Sequence, residues 1–123
     1  MPPYVVLEHD SPDGVHFDFM LQVGEVLRTW ALPQPPIAGA EMVGRALPDH
    51  RLKYLEYEGP ISGNRGSVVR RDGGDYRLLQ EGKSEMTVEL SGEKFTGRAL
   101  LRRLSEESDR WRFTFLGPET AAK

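Results

Sequence analysis

The chain contains no cysteine. This excludes disulfides and thiolate metal sites, and says little about compartment. No apolar run approaches the roughly 18–20 residues that a membrane span needs. The opening Met-Pro-Pro-Tyr has none of the basic-then-apolar character of a secretory signal. A cytoplasmic protein without membrane association is the expectation. Basic residues are not in excess either: 16 Lys and Arg stand against 19 Asp and Glu, for a net charge of −3. No overall positive field draws such a chain to nucleic acid, although Arg65, Arg70-Arg71 and Arg102-Arg103 are locally basic. Histidine is scarce, three in 123 residues, yet each one sits beside acids: Glu8-His9-Asp10, His16-Phe17-Asp18 and Asp49-His50.

Strand signals dominate what is present. Tyr4–Glu8, Val15–Val23, Glu25–Leu32, Gly66–Arg71, Asp75–Gln80, Glu85–Leu90, Phe95–Leu104 and Arg110–Leu116 are rich in β-branched and aromatic residues. Turn formers separate them, among them Ser11-Pro12-Asp13-Gly14, Gly24, Gly63-Asn64, Asp72-Gly73-Gly74 and Ser91-Gly92. The spacing predicts an all-β fold, mostly a small closed antiparallel barrel of about eight strands. A short helical turn near Leu52–Tyr57 fits the pattern. Pro33–Ala40 reads as a surface loop and Pro118–Lys123 as a flexible tail on a single domain spanning 1–123.

His16 and Asp18 are two apart in a strand, so both side chains leave one face. Phe17, Phe19 and Leu21 take the other face, which leaves His16, Asp18 and Met20 together. A hairpin across Asp10–Val15 would bring His9 beside His16, and three ligands would converge from one rigid unit. Two imidazoles and a carboxylate suit Mn, Fe, Co or Zn. The alternative is a surface histidine plus a structural His–Asp hydrogen bond.

His50 and Tyr54, four residues apart, fit one side of a helical turn or a curved loop. Imidazole and phenol can together hold or protonate a phosphate oxygen. Tyrosine packing with an exposed histidine is the other reading, and Tyr57 is assigned to packing. Gly59–Ser67 is glycine-rich and could cradle an anion. It lacks the Gly-Lys-Ser/Thr ending of a nucleotide P-loop, so a tight connection between strands fits better. Trp30 and Trp111 read as core. No Ser–His–Asp arrangement can be defended from these spacings.

The order of these motifs resembles a known family. Glu8-His9-Asp10, His16-Phe17-Asp18-Phe19, the run Gly24–Pro33, Asp49-His50 with Tyr54, Tyr57–Ile61 and Leu90–Gly97 with a late Trp111 together resemble the 3′-phosphoesterase domain of bacterial DNA ligase D over about residues 3–116. The resemblance implies a Mn-dependent enzyme that trims DNA 3′ ends in end-joining repair. Such an enzyme removes a 3′-terminal ribonucleotide and then the remaining 3′-phosphate. It implies His9, His16 and Asp18 as metal ligands and His50 and Tyr54 as catalytic contacts to the scissile phosphate. DNA 3′ ends, together with separate ligase or polymerase repair proteins, are the implied partners.

The chain also departs from the family pattern. Met20 stands where the pattern has arginine, Gln34 where lysine is frequent, and Met42 where another basic residue aligns. The connection between the first two histidines is one residue longer. Methionine cannot supply the bidentate bonds of a guanidinium, so Arg28, Arg45 and Arg65 are the candidate replacements. Two further readings follow. One is a non-catalytic module that binds DNA ends or a repair partner. The other is an oxygenase with iron on His16, Asp18 and His50.

Overall fold

The computed structural model describes residues 1–117; the tail expected over 118–123 lies outside them. Nine strands follow one another: β1 (Pro3–Ser11), β2 (Gly14–Val23), β3 (Val26–Leu32), β4 (Glu41–Arg51), β5 (Gly59–Pro60), β6 (Ser67–Glu81), β7 (Glu85–Gly92), β8 (Thr96–Arg103) and β9 (Arg110–Leu116). They form one sheet in the order β1-β2-β3-β4-β9-β8-β7-β6-β5, and β6 also pairs with β1. Eight strands therefore ring round on themselves and the two-residue β5 is appended to β6. All pairings are antiparallel. The all-β ring expected from the strand spacing is what the chain forms. Its one helical element among the described residues is a 3₁₀ turn, Leu52–Leu55, within the segment expected to turn.

Two strand assignments change. Glu41–Arg51, absent from the expected strands, is an eleven-residue strand that includes Gly44 and Pro48. A Cβ at Gly44 would lie 2.8 Å from the Ala31 carbonyl oxygen, so the glycine permits close packing on β3 and does not break the strand. Asp72-Gly73-Gly74, expected to be a turn, lies inside the fifteen-residue β6. The register of β6 against β1 shifts here, and the bulge is held from within. Asp72, 1% exposed, accepts hydrogen bonds from the Tyr4 hydroxyl (2.5 Å), Lys94 N–H (2.7 Å) and Phe95 N–H (3.1 Å). Burial, then the neighbouring Asp72 carboxylate, push the Tyr4 pKa well above its ordinary value.

Alternation divides each strand between two faces. One face fills the ring with Tyr4, Val6, Phe19, Leu21, Trp30, Leu101, Trp111, Phe113 and Phe115 among others. Trp30 and Trp111 meet edge to face inside it, with centroids 5.6 Å apart. The opposite face of β1, β2, β3 and β6 carries a second, smaller core of Val5, Leu7, Met20, Leu27 and Val68. Leu52, Tyr54, Leu55, Tyr57 and Ile61 cover it. Arg70 pins that cover down: its guanidinium donates to the Leu55 carbonyl (2.8 Å) and its N–H to the Glu58 carboxylate (2.7 Å).

Candidate metal centre

The β1–β2 hairpin determines the first three side chains. Ser11 pairs with Gly14 across a two-residue turn, and from there the register counts back to His9 directly opposite His16. A slip of one position would have sent one imidazole to the other face. His9 continues the series Val5, Leu7 and Asp18 continues the series from Met20, so all lie on the face of the smaller core.

There the donor atoms converge. His9 Nδ1 lies 3.1 Å from His16 Nε2 and 3.4 Å from Asp18 Oδ2, and His16 Nε2 lies 3.0 Å from Asp18 Oδ1. One donor atom from each residue lies within 4.8 Å of the others. These separations match the edges of octahedra and tetrahedra built on metal–ligand bonds of about 2.1 Å. Two features fit a bound cation. Asp18 is 2% exposed, and its buried Oδ1 makes no hydrogen bond of good geometry, although His16 Nε2 lies 3.0 Å away. A buried carboxylate oxygen without a well-formed hydrogen bond is costly unless something positive satisfies it, and a cation shared with His16 would do so. Second, His9 Nε2 lies 2.7 Å from the Arg65 carbonyl. A carbonyl only accepts, so Nε2 carries the proton and Nδ1 presents its lone pair to the cluster.

The segment after β4 brings the remaining residues. His50 and Tyr54 meet edge to face at 5.8 Å. Both line a cavity of about 70 Å³ together with His9, Asp18, Met20 and Arg65. His50 Nδ1 faces the Pro48 carbonyl at 2.8 Å, so it donates there and Nε2 is left as the other functional nitrogen. Tyr57 packs against Tyr54 at 5.8 Å. Gly59–Ser67 forms a tight connection: Ile61 N–H bonds the Gly66 carbonyl at 2.7 Å. Gly66 has φ +92, and a Cβ there would lie 1.9 Å from the Asp10 carbonyl oxygen. Only glycine lets this loop approach β1 closely enough to set the Arg65 carbonyl on His9.

The three candidate arginines separate. Arg65 lines the small cavity, with its Nε donating to the Ser62 carbonyl at 2.7 Å. Arg45 lines a larger groove that also contains His16. Arg28 is not at the cluster: its guanidinium lies 5.0 Å from the Trp30 ring and 5.5 Å from Trp111, on the main-core side of the sheet. Met20, 1% exposed, packs into the smaller core and lines the small cavity with its thioether. The iron triad with His50 does not form, since His9 takes the third place in the cluster. Sequence reasoning saw Arg70 only as part of the basic pair Arg70-Arg71; nothing local signals that it clamps a distant turn.

A family model described as the DNA Ligase D 3′-phosphoesterase domain matches residues 7–103. The chain belongs to this family. It is 32% identical over 105 residues to the Multifunctional non-homologous end joining protein LigD of Pseudomonas aeruginosa, covering 77% of this chain and 12% of that protein. It is 31% identical over 117 residues to the Multifunctional non-homologous end joining DNA repair protein LigD of Mycobacterium tuberculosis, covering 88% of this chain and 15% of that one. The chain thus spans a small part of the length of these relatives. The matched span of 7–103 contains His9, His16, Asp18, Met20, His50 and Tyr54. No helix among its described residues is long and apolar enough to cross a membrane.

Proposed function

We propose that the chain is a metal-dependent phosphoesterase acting on the 3′ ends of DNA, removing a 3′-terminal ribonucleoside and the 3′-phosphate left behind. The observation that carries this reading is the convergence of His9, His16 and Asp18 beside the cavity that His50 and Tyr54 line. His9 Nδ1, His16 Nε2 and the Asp18 carboxylate would hold the divalent ion, Mn foremost, with Zn, Co or Fe compatible with the same donors. When bound, the ion supplies Lewis-acid stabilisation of the charge that builds on a phosphoryl oxygen.

The protein's own groups do the rest. His50, with its Nδ1 proton held by Pro48, offers Nε2 to a phosphate oxygen or to the leaving oxygen. The Tyr54 hydroxyl is a neutral donor to the same phosphate. Arg65 is the guanidinium nearest in kind to the one that Met20 replaces, since it lines the same cavity. The apolar wall of Leu7, Met20, Ile61 and Val68 limits water around the reacting group and strengthens these bonds.

The test uses purified protein, Mn and a primer–template whose primer ends in a single ribonucleotide. Stepwise conversion to a 3′-phosphate and then a 3′-hydroxyl is expected, with His16→Ala inert. Primer left unchanged by wild type as by His16→Ala would reject catalysis. The buried Met20 favours a second reading, a module that binds 3′-phosphate ends without turnover. Binding of such ends with no hydrolysis would select it.

A further inference from the structure

The sheet carries a straight path from the metal centre to a cluster of arginines. Asp18 pairs with Ala31, Ala31 with Arg45, and Arg45 with Arg110. Directly paired residues in a sheet point to the same face, so this rung of four runs along the outside of the ring. Three strand spacings put Arg110 about 14 Å from Asp18. A groove of about 540 Å³ follows the same path, lined by His16, Ala31, Leu47, Arg45 and Arg110. Ala31 leaves its floor low.

Beyond the groove the basic face continues. Arg112 lies two residues after Arg110 on β9, hence on the same face, and pairs directly with Arg102 on β8. The outer face thus holds two cross-strand Arg–Arg pairs side by side, Arg45 with Arg110 and Arg102 with Arg112. Like charges set directly opposite each other disfavour a sheet. The nearby acids relieve this only loosely. Asp109 lies 3.8 Å from Arg45 and Glu41 lies 3.9 Å from Arg112, all on substantially exposed side chains, while Glu85 is opposite Arg102 in register. In a chain of net charge −3, such segregation concentrates positive charge where a bound polyanion would relieve the repulsion.

We infer that Arg45, Arg110, Arg112 and Arg102 form the track for the sugar–phosphate backbone of the nucleic-acid strand whose 3′ end lies at His9, His16 and Asp18. This rests on the proposed function for the position of the end. Arg45, two strand spacings or about 10 Å from Asp18, corresponds to about three nucleotides at 3.4 Å each and Arg110 to about four, so the track engages phosphates from about the third nucleotide inward. Contact is electrostatic and independent of sequence.

The test is fluorescence anisotropy with a labelled 12-base-pair duplex ending in a plain 3′-hydroxyl, which measures binding without turnover. Wild type is compared over a salt series with the double variant Arg110→Gln/Arg112→Gln, with Arg110→Lys/Arg112→Lys, and with Arg77→Gln as an off-track control. The glutamine pair is expected to bind on the order of tenfold more weakly. The slope of log affinity against log salt should fall in magnitude by about 1.8. The lysine pair should restore most of both, and Arg77→Gln should match wild type. An unchanged slope in the glutamine pair, equal loss in Arg77→Gln, or no binding by wild type at low salt would each overturn the inference. Cleavage of the ribonucleotide-ended primer, run in parallel, separates the two ideas. Binding that depends on the track without cleavage would sink the proposed activity alone. Cleavage with unaltered binding in the glutamine pair would sink the track alone.

Discussion

The Nε2 nitrogen of His9 lies 2.7 Å from the carbonyl oxygen of Arg65, a residue 56 positions away in the chain. That bond settles the tautomer and aims Nδ1 at His16 and Asp18. It also makes the loop before β6 a part of the site through its backbone, whatever the Arg65 side chain does.

Substituting the donors should abolish metal binding without unfolding the chain. For His9→Ala, His16→Ala and Asp18→Asn, Mn affinity measured by electron paramagnetic resonance is expected to fall by at least about 100-fold. His50→Ala should bind Mn as wild type does. In wild type, Mn at about 100 times its Kd should stabilise the fold by about 2.7 kcal/mol, and thermal melts should show no such gain in Asp18→Asn. Full Mn affinity in His9→Ala would refute this ligand set.

Gly66→Ala should act on both stability and metal. The positive φ and the near contact with the Asp10 carbonyl oxygen force the loop away from β1. A loss of about 1–3 kcal/mol in urea denaturation is expected, with weaker Mn binding as the Arg65 carbonyl withdraws from His9. Unaltered Mn affinity in a destabilised variant would show that the carbonyl does not position the ligand.

Met20→Arg places a guanidinium into the apolar cluster of Val5, Leu7, Leu27 and Val68. Without an anion the variant should lose about 3 kcal/mol, the usual cost of an unpaired buried charge. Inorganic phosphate should then raise its thermal midpoint more than that of wild type. Equal phosphate effects in the two proteins would mean that position 20 does not face the phosphate pocket.

The Tyr4–Asp72 bond predicts an alkaline loss of stability. The folded state holds the Tyr4 pKa above the ordinary value of 10.0, through burial first and the Asp72 carboxylate second. Tyr76 is also raised, by burial. Above pH 10 the unfolded chain releases these protons and the folded chain keeps them, so stability is complete below that pH and declines as pH rises. Urea midpoints measured from pH 8 to 11 should decline, and Tyr4→Phe should remove about one proton from the number released on unfolding. The same variant at pH 7 should be less stable by about 1–3 kcal/mol, because Asp72 loses a buried donor.

Much of this was legible locally. Alternation of Phe17, Phe19 and Leu21 against His16, Asp18 and Met20 assigns faces without any partner strand, because successive side chains in a strand diverge by geometry alone. The hairpin at Pro12-Asp13 joins neighbours in sequence, so the meeting of His9 and His16 was visible too. The strand β4 was not, since Gly44 and Pro48 look like breakers until the close approach of β3 is known. Nor was the internal bulge at Asp72, whose stabilising donors come from residues 4, 94 and 95.

Local sequence thus set the all-β character, the hairpin and the chemistry of the three acid-flanked histidines, since these depend on alternation and turn residues within a few positions. Closure of the ring assigned everything that depends on distant contacts. It sent Arg28 to the tryptophans, brought Arg65, His50 and Tyr54 to the cavity beside His9 and Asp18, and lined Arg45 up with Arg110. An arginine carries the same charge wherever it falls in the chain. Its role depends on which face and which neighbours the register of the sheet provides.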